Sequence, residues 1–343
     1  MLLRSKSVTR RLFVWFGVCA VGLAPGALGQ TWALIDVPGA DSRPPSSDTD
    51  PTSINESGAV TGFWRAIPGE ILSAGHGFVR DPAGTVTTFD PPGSTGTFPF
   101  SINAAGAITG YYQGPPPFPS PLHGFVRSPD GNFTSFDPQG SIATNPQSIN
   151  ARGAVAGYYN EANRIVHGFV RHPNGNITSF DPPRSMSTTP VAISARGVVT
   201  GSYKDANGIN HGFVREANGT IVSFDAPGST GTIAASINDK GAVAGSFTIA
   251  NTFQVFGFIR EPDGKFTTFD SGGAIGINHE GAVLGTGPAG SFVRDPGGSI
   301  TLIGNAPMQF FCIGGTTATS INNAGVITAY CGGPPFLGFV RYP

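Results

Sequence analysis

Four histidines stand fourteen residues ahead of four aspartates: His76 and Asp90, His123 and Asp137, His167 and Asp181, His211 and Asp225. A histidine beside a carboxylate can act as a general base, hold a metal, or form a hydrogen-bonded lock. The spacing favours the lock. Each histidine opens a His-Gly-Phe-Val-Arg run, and each aspartate closes a β-branched run in Phe-Asp. A short turn between two antiparallel strands sets such residues face to face across the ladder. Equivalent histidines on separate hairpins lie too far apart to share an ion, whose nitrogen ligands sit at about 2.1 Å. No metal and no other cofactor is expected.

A second row is aromatic. Trp64, Tyr112, Tyr159, Tyr203 and Phe247 stand two residues past a strand glycine in five successive segments. An arc of rings at one end of a scaffold can stack on sugar faces, and packing between neighbouring elements is the competing use. A third row is basic: Arg80, Arg127, Arg171, Arg215, Arg260, Arg294 and Arg341. Asp81, Glu216, Glu261 and Asp295 follow four of them directly. Their charge is thereby cancelled, and the arginines read as forks for backbone carbonyls or turn acids.

Catalysis has little support in the chain. It holds no Gly-x-Ser-x-Gly elbow, His-Glu-x-x-His pair, phosphate loop or dinucleotide fingerprint, so no catalytic residue is assigned. Paired carboxylates for glycoside cleavage would have to come from irregular loops, for instance Glu70, Glu161 or Asp205. Asp41, Asp48 and Asp50 cluster in one connection and could hold Ca²⁺, but solvation of a surface loop explains them equally well.

The elements that must position these rows follow from composition. The 343 residues include 50 Gly, 30 Pro and 26 Phe, with only 12% charged residues and a formal net charge of −1. So many turn formers exclude a helical bundle and imply short strands joined by tight turns. The phenylalanines supply enough apolar area to exclude disorder. Near-zero net charge removes the electrostatic case for nucleic acid or an anionic membrane as partner.

Residues 1–29 read as a secretory leader. Arg4, Lys6, Arg10 and Arg11 precede an apolar run from Leu12 to Ala24, and Ala27-Leu28-Gly29 supplies small residues before Gln30. The run is too short to cross a bilayer core of about 30 Å as a helix. The mature chain is expected to be secreted, extracellular or periplasmic, and free of the membrane after cleavage. Cys312 and Cys331 are the two cysteines left in that chain. In an oxidising compartment they read as a disulfide, the alternative being two buried thiols.

The rest of the chain is one unit repeated. Ser-Ile-Asn begins at Ser53, Ser101, Ser148, Ser236 and Ser320, with diverged forms at Ala192 and Gly276. Each copy continues through a turn to a Val/Ile-rich strand ending in Gly, then Gly-Phe-Val-Arg, then Thr-x-Phe-Asp. Four strands in roughly 44 residues is the size of a β-propeller blade. Copies start near residues 52, 100, 147, 191, 235, 275 and 319, and copy 7 ends without a fourth strand. Residues 31–37, Thr-Trp-Ala-Leu-Ile-Asp-Val, match a fourth strand that lacks the other three. The expected fold is all-β: a single seven-bladed propeller over residues 30–343, its last blade completed by the amino-terminal strand.

The units resemble the HAF repeats of exported bacterial proteins, named for His-Ala-Phe at the third strand. Here the motif stands as His-Gly-Phe at residues 76–78, 123–125, 167–169 and 211–213, and the following Leu-Trp of that family is Val-Arg. The resemblance spans residues 53–343. It implies an exported, propeller-like protein and carries no catalytic set.

Short turns of uniform length join first to second and third to fourth strands, so they share one face. The second-to-third loops, which vary in length and content, share the other, where a ligand is expected. The expected function is an exported, monomeric, non-enzymatic binding module whose ligand is a glycan or an extracellular protein. The rivals are a secreted carbohydrate-active hydrolase or lyase and a purely structural surface repeat.

Overall fold

The structure, a computed structural model, describes residues 31–37, 48–65, 74–115, 120–252, 254–306, 315–332 and 337–343. The expected leader, Asp41, Glu70 and Cys312 lie outside these residues. Among the described residues every regular element is a strand. β1 (Thr31–Leu34) comes first. Copy 1 follows as β2 (Asp48–Ile54), β3 (Val60–Arg65), β4 (Gly75–Arg80) and β5 (Val86–Phe89). Copy 2 is β6 (Gly96–Ile102), β7 (Ile108–Gln113), β8 (Leu122–Arg127) and β9 (Phe133–Phe136). Copy 3 is β10 (Ser141–Ile149), β11 (Val155–Glu161), β12 (Val166–Arg171) and β13 (Ile177–Phe180). Copy 4 is β14 (Ser187–Ile193), β15 (Val199–Lys204), β16 (Asn210–Arg215) and β17 (Ile221–Phe224). Copy 5 is β18 (Ser229–Ile237), β19 (Val243–Ile249), β20 (Val255–Arg260) and β21 (Phe266–Phe269). Copy 6 is β22 (Gly273–Ile277), β23 (Val283–Gly287), β24 (Gly290–Arg294) and β25 (Ile300–Leu302), and copy 7 is β26 (Thr316–Ile321), β27 (Ile327–Cys331) and β28 (Leu337–Tyr342).

Within each copy the strands pair antiparallel in chain order. Copies 1, 5 and 6 form separate four-stranded sheets, and β1 joins copy 7 as its fourth strand, with Thr31 opposite Tyr342 and Leu34 opposite Phe339. Copies 2 to 4 depart from the expectation of separate sheets and merge into one of twelve strands. The cause is local: single parallel bridges, Ala143 to Leu122 and Val166 to Ser187, link the first strand of one copy to the third strand of the copy before it. First strands touch in a circle, β2 to β6 and onward to β26, which returns to β2. They therefore surround the molecular axis.

Every first strand carries a β-bulge. The ladder slips between Pro51 and Ser53, Pro99 and Ser101, Pro146 and Ser148, Pro190 and Ala192, Ala234 and Ser236, Ala274 and Gly276, and Ala318 and Ser320. Proline is tolerated there because an innermost strand has one unpaired edge. The bulge presses the strand onto its neighbour, and a Cβ at Gly62 would collide with the carbonyl oxygen of Asp50. This close approach explains the glycine at the third position of the second strand in most copies, which the strand continues past.

The core repeats with the sequence. Phe78, Phe125, Phe169, Phe213, Phe258, Phe292 and Phe339 are all at most 1% exposed. The Phe of Phe-Asp packs on the glycine of His-Gly-Phe, where a Cβ at Gly77 would lie 2.5 Å from the Phe89 ring. The buried Thr61 hydroxyl donates to the carbonyl of Phe78 at 2.8 Å, tying second strand to third.

Ser-Ile-Asn owes its recurrence to a belt of hydrogen bonds at the short-turn face. Asn55 donates from Nδ2 to the carbonyl of Asn103 at 2.9 Å, Asn103 to Asn150 at 3.0 Å, and Asn150 to Ser194 at 3.0 Å. Asn238 donates to Asn278, Asn278 to Asn322, and Asn322 back to Asn55 at 3.1 Å. Each asparagine also caps its own turn, as when Asn55 Oδ1 accepts from the amides of Ser57 and Ala59. Copy 4 has Ser194 in place of the asparagine, and there the carboxylate of Asp239 accepts from the Ala195 amide instead. The serines add a second tier: the amides of Ile102, Ile149 and Ile54 donate to the hydroxyls of Ser53, Ser101 and Ser320.

Candidate functional site

The His–Asp pairs lie at the opposite face. His76 Nδ1 is 2.7 Å from Asp90, His123 2.7 Å from Asp137, His167 2.6 Å from Asp181, and His211 3.0 Å from Asp225. The other oxygen of the first three aspartates accepts from a threonine of the next copy: Thr97, Thr144 and Thr188, each at 2.5 Å. Those threonines are fully buried. The histidine, aspartate and threonine together clip one copy to its successor, so the pair is a positioning device. The sequence reading missed the threonine, which is signalled by its place seven residues past each aspartate.

The aromatic row sits on the same clips. Ring centroids are 5.0 Å apart for Trp64 and His76, 5.3 Å for Tyr112 and His123, 5.4 Å for Tyr159 and His167, and 5.1 Å for Tyr203 and His211. In copy 5 Phe256 replaces the histidine and lies 5.4 Å from Phe247. Tyr159 and Phe247 are only 5% and 4% exposed, and all five rings pack into hydrophobic clusters that span adjacent copies. The expected open stacking arc is thus a packing row, because an imidazole or phenyl ring already covers a face of each member.

The arginines form a third scaffold row. Arg127 lies 4.9 Å over Phe89 of the previous copy, and Arg171, Arg215, Arg260 and Arg294 repeat this on Phe136, Phe180, Phe224 and Phe269. Each also donates from Nη1 to the carbonyl of the residue after it, Arg215 to Glu216 at 3.3 Å for example. Burial lowers the pKa of Arg127, Arg171, Arg215, Arg260 and Arg341 from the usual arginine value. The carbonyl bond matches the sequence expectation; the phenylalanine contact adds to it.

What is left unused by the scaffold converges on the axis. A cavity of about 560 Å³ is lined by Asp50, Pro51, Thr52 and Phe63 of copy 1, Phe100 of copy 2, Gln147 of copy 3, and Thr317 to Thr319 with Tyr330 of copy 7. Thr52, Phe100, Gln147 and Thr319 are bulge residues, so the bulges aim them at the lumen. Phe63 and Tyr330 stand one residue past the strand-two glycine or its equivalent, Ala329. Tyr111 and Tyr158 hold the same position in copies 2 and 3; Ser202, Ser246 and Thr286 hold it in copies 4 to 6. Phe98 joins the ring system, 5.2 Å from Phe63 and 5.0 Å from Tyr111, with Phe100 at 5.6 Å from Tyr111. The cavity lining is therefore aromatic on copies 7, 1 and 2, and copy 3 contributes Gln147.

One carboxylate belongs to this wall. Asp50 Oδ2 is 3.4 Å from Arg65 Nη1, and Arg65 lies 4.8 Å over the Phe63 ring. Oδ1 of Asp50 makes no hydrogen bond among the described residues. Burial pushes the Asp50 carboxyl up to about 6; Arg65 pulls it down and Asp48 raises it again. Burial also raises the phenols of Tyr111 and Tyr158 above their usual value. A second cleft, of about 510 Å³ between copies 6 and 7 on the short-turn face, has no aromatic lining.

The loop carboxylates do not come together with this wall. Glu161 lies 3.8 Å from His167 and Asp205 3.7 Å from His211. Asp205 caps its loop, and the amide of Ile209, with Asn207, holds its carboxyl below the usual range. Among the described residues no three His, Cys, Asp or Glu side chains are grouped to hold a metal. Cys331 is buried at the end of β27, and its expected partner Cys312 lies outside the described residues.

This architecture is that of a β-propeller. No family model matches the chain, and no curated protein does. Among solved structures the chain is similar to virginiamycin B lyase from Staphylococcus aureus, with 12% identity, a TM-score of 0.58, and coverage of 92% of this chain and 99% of that one. It is similar at TM-score 0.58 and 9% identity to the β-propeller domain of the trilobed protease from Pyrococcus furiosus, covering 83% of this chain and 91% of that one. That domain has an open velcro topology, unlike the β1–β28 pairing here. YCF48 bound to D1 peptide matches with TM-score 0.53 at 11% identity, over 93% of this chain and 98% of that one. Likeness at this identity shows the fold alone.

Proposed function

We propose that the chain is an exported, closed seven-bladed propeller that binds a saccharide in its axial cavity without turning it over. In this reading the twelve-stranded sheet is three blades, and β1 seals the ring. Cys312 pairs with Cys331, and the mature protein is a monomer, exported as the HAF-repeat resemblance implies.

The observation that carries the reading is the cavity wall. Ring faces from Phe63, Phe100 and Tyr330 offer apolar contact to a sugar ring. Asp50, Gln147, Thr317 and Thr319 supply acceptors and donors for hydroxyls beside them. A concave pocket of about 560 Å³ suits a small ligand better than a flat protein face. Hydrolysis would need a second carboxylate across the scissile bond, roughly 5–10 Å from the first. The lining offers Asp50 alone.

The test is a glycan array with purified residues 30–343, followed by mass spectrometry of each retained glycan after incubation. Retention with the glycan intact is expected. Release of shortened products would transfer the reading to the hydrolase or lyase alternative, and no retention would end it.

A further inference from the structure

We propose that the bound saccharide carries a free amine, held as an ammonium between Asp50 and the rings of Phe63 and Tyr330. This rests on the glycan reading and names the ligand class within it.

Three features of the wall point to a cation. First, the charged side chain lining the cavity is a carboxylate. Its one partner, Arg65, is at a long 3.4 Å, and Oδ1 is without a hydrogen bond among the described residues. Second, the adjoining wall already takes a positive group: the Arg65 guanidinium lies 4.8 Å over the Phe63 ring. An aromatic face next to a carboxylate attracts cations through the ring quadrupole and through charge. Third, aromatic rings from two copies, Phe63 of copy 1 and Tyr330 of copy 7, line the same cavity as the carboxylate.

A neutral sugar closing over the cavity removes water from Asp50 and returns only neutral hydrogen bonds. With Arg65 at 3.4 Å from Oδ2 as its counter-charge, the carboxylate still loses water at Oδ1 when the cavity closes, which is costly. An ammonium at that oxygen adds a second opposite charge and a contact to the rings. Thr317, Thr319 and Gln147 remain available to the hydroxyls of the same sugar.

The experiment is isothermal titration of residues 30–343 at pH 7 with three probes: a glucosamine trisaccharide, its fully N-acetylated counterpart and a glucose trisaccharide. The glucosamine probe is expected to bind at least ~10-fold more tightly than either neutral one. In Asp50→Asn, checked for an intact melt, that preference shrinks to within about 2-fold. The same loss is expected in Phe63→Leu, which keeps volume and removes the ring face. Equal binding of all three probes overturns the amine inference and leaves the glycan reading standing. Preference for the amine that survives in Asp50→Asn also overturns it. Binding of none of the three overturns both.

Discussion

Two rows of side chains one residue apart on the same strands have opposite uses. Trp64, Tyr112, Tyr159, Tyr203 and Phe247 recur as rings in five successive copies, and each packs on an imidazole or phenyl ring. Phe63, Tyr111, Tyr158, Ser202, Ser246, Thr286 and Tyr330 change character around the ring, and two of them line the axial cavity. Copies that must stack on one another need the same contact at every joint, so scaffold positions repeat. A ligand that sits off-centre in a ring needs the copies to differ. In this protein irregularity within a regular frame marks the proposed site.

The comparison can be broken at several strengths. Removal of residues 31–37 strips the fourth strand from copy 7 and exposes the cluster that holds Ile35, Val37, Val60 and Val340. Two buried aliphatic side chains, at about 2 kcal/mol each, correspond to a melting temperature lower by on the order of 10 °C, measurable by calorimetry. An unchanged melt would mean that the ring does not depend on its seal.

Tyr159→Ala in the repeating row is expected to cost about 3 kcal/mol in urea unfolding, whereas Phe63→Ala, in the half-buried irregular row, should cost less than half as much. The order reversed would dissolve the distinction between scaffold and site.

Asp50→Asn sharpens it through pH. The folded carboxyl is raised to about 6 from 3.8, so between those values the folded chain holds a proton that the unfolded chain has lost. Stability from this group therefore falls as pH rises from about 4 to 6, and the penalty is complete above the folded value. The variant should be more stable than the parent by on the order of 2 kcal/mol at pH 7.5, and the gap should close near pH 4. A site that costs stability in the free protein is the expected mark of a binding position. The smallest effect is expected from Ser101→Ala, which removes one second-tier bond from the Ile149 amide and should cost about 1 kcal/mol with ligand affinity unchanged.

The contrast also explains how far the sequence could be read. The all-β, propeller-like fold is legible because Gly62, Phe78, Asn55 and Asp90 answer steric and hydrogen-bonding demands that recur at each joint. A glycine that must clear a neighbouring carbonyl, or an amide that must bridge two copies, leaves the same letter at the same spacing. The cavity is not legible, for two reasons. Its residues are those that do not recur, so repeat-based reading passes over them. In addition, the bulge in each first strand inserts a residue and breaks the two-residue alternation that would otherwise tell lumen from packing face. Thr52, Phe100 and Gln147 acquire their direction from that insertion. The same one-residue offset separates Trp64 from Phe63, and a row chosen for its regularity is the row that packs.

The account's central claim is that the ligand sits on the axis against copies 7 to 3. A crystal structure of residues 30–343 soaked with a glucosamine trisaccharide tests it most directly. The account predicts density between Asp50, Phe63 and Tyr330, with an amine nitrogen within hydrogen-bond distance of Asp50 Oδ1. Density instead on the second-to-third-strand loops beside Tyr159 and Tyr203, with the axial cavity holding only water, would contradict it.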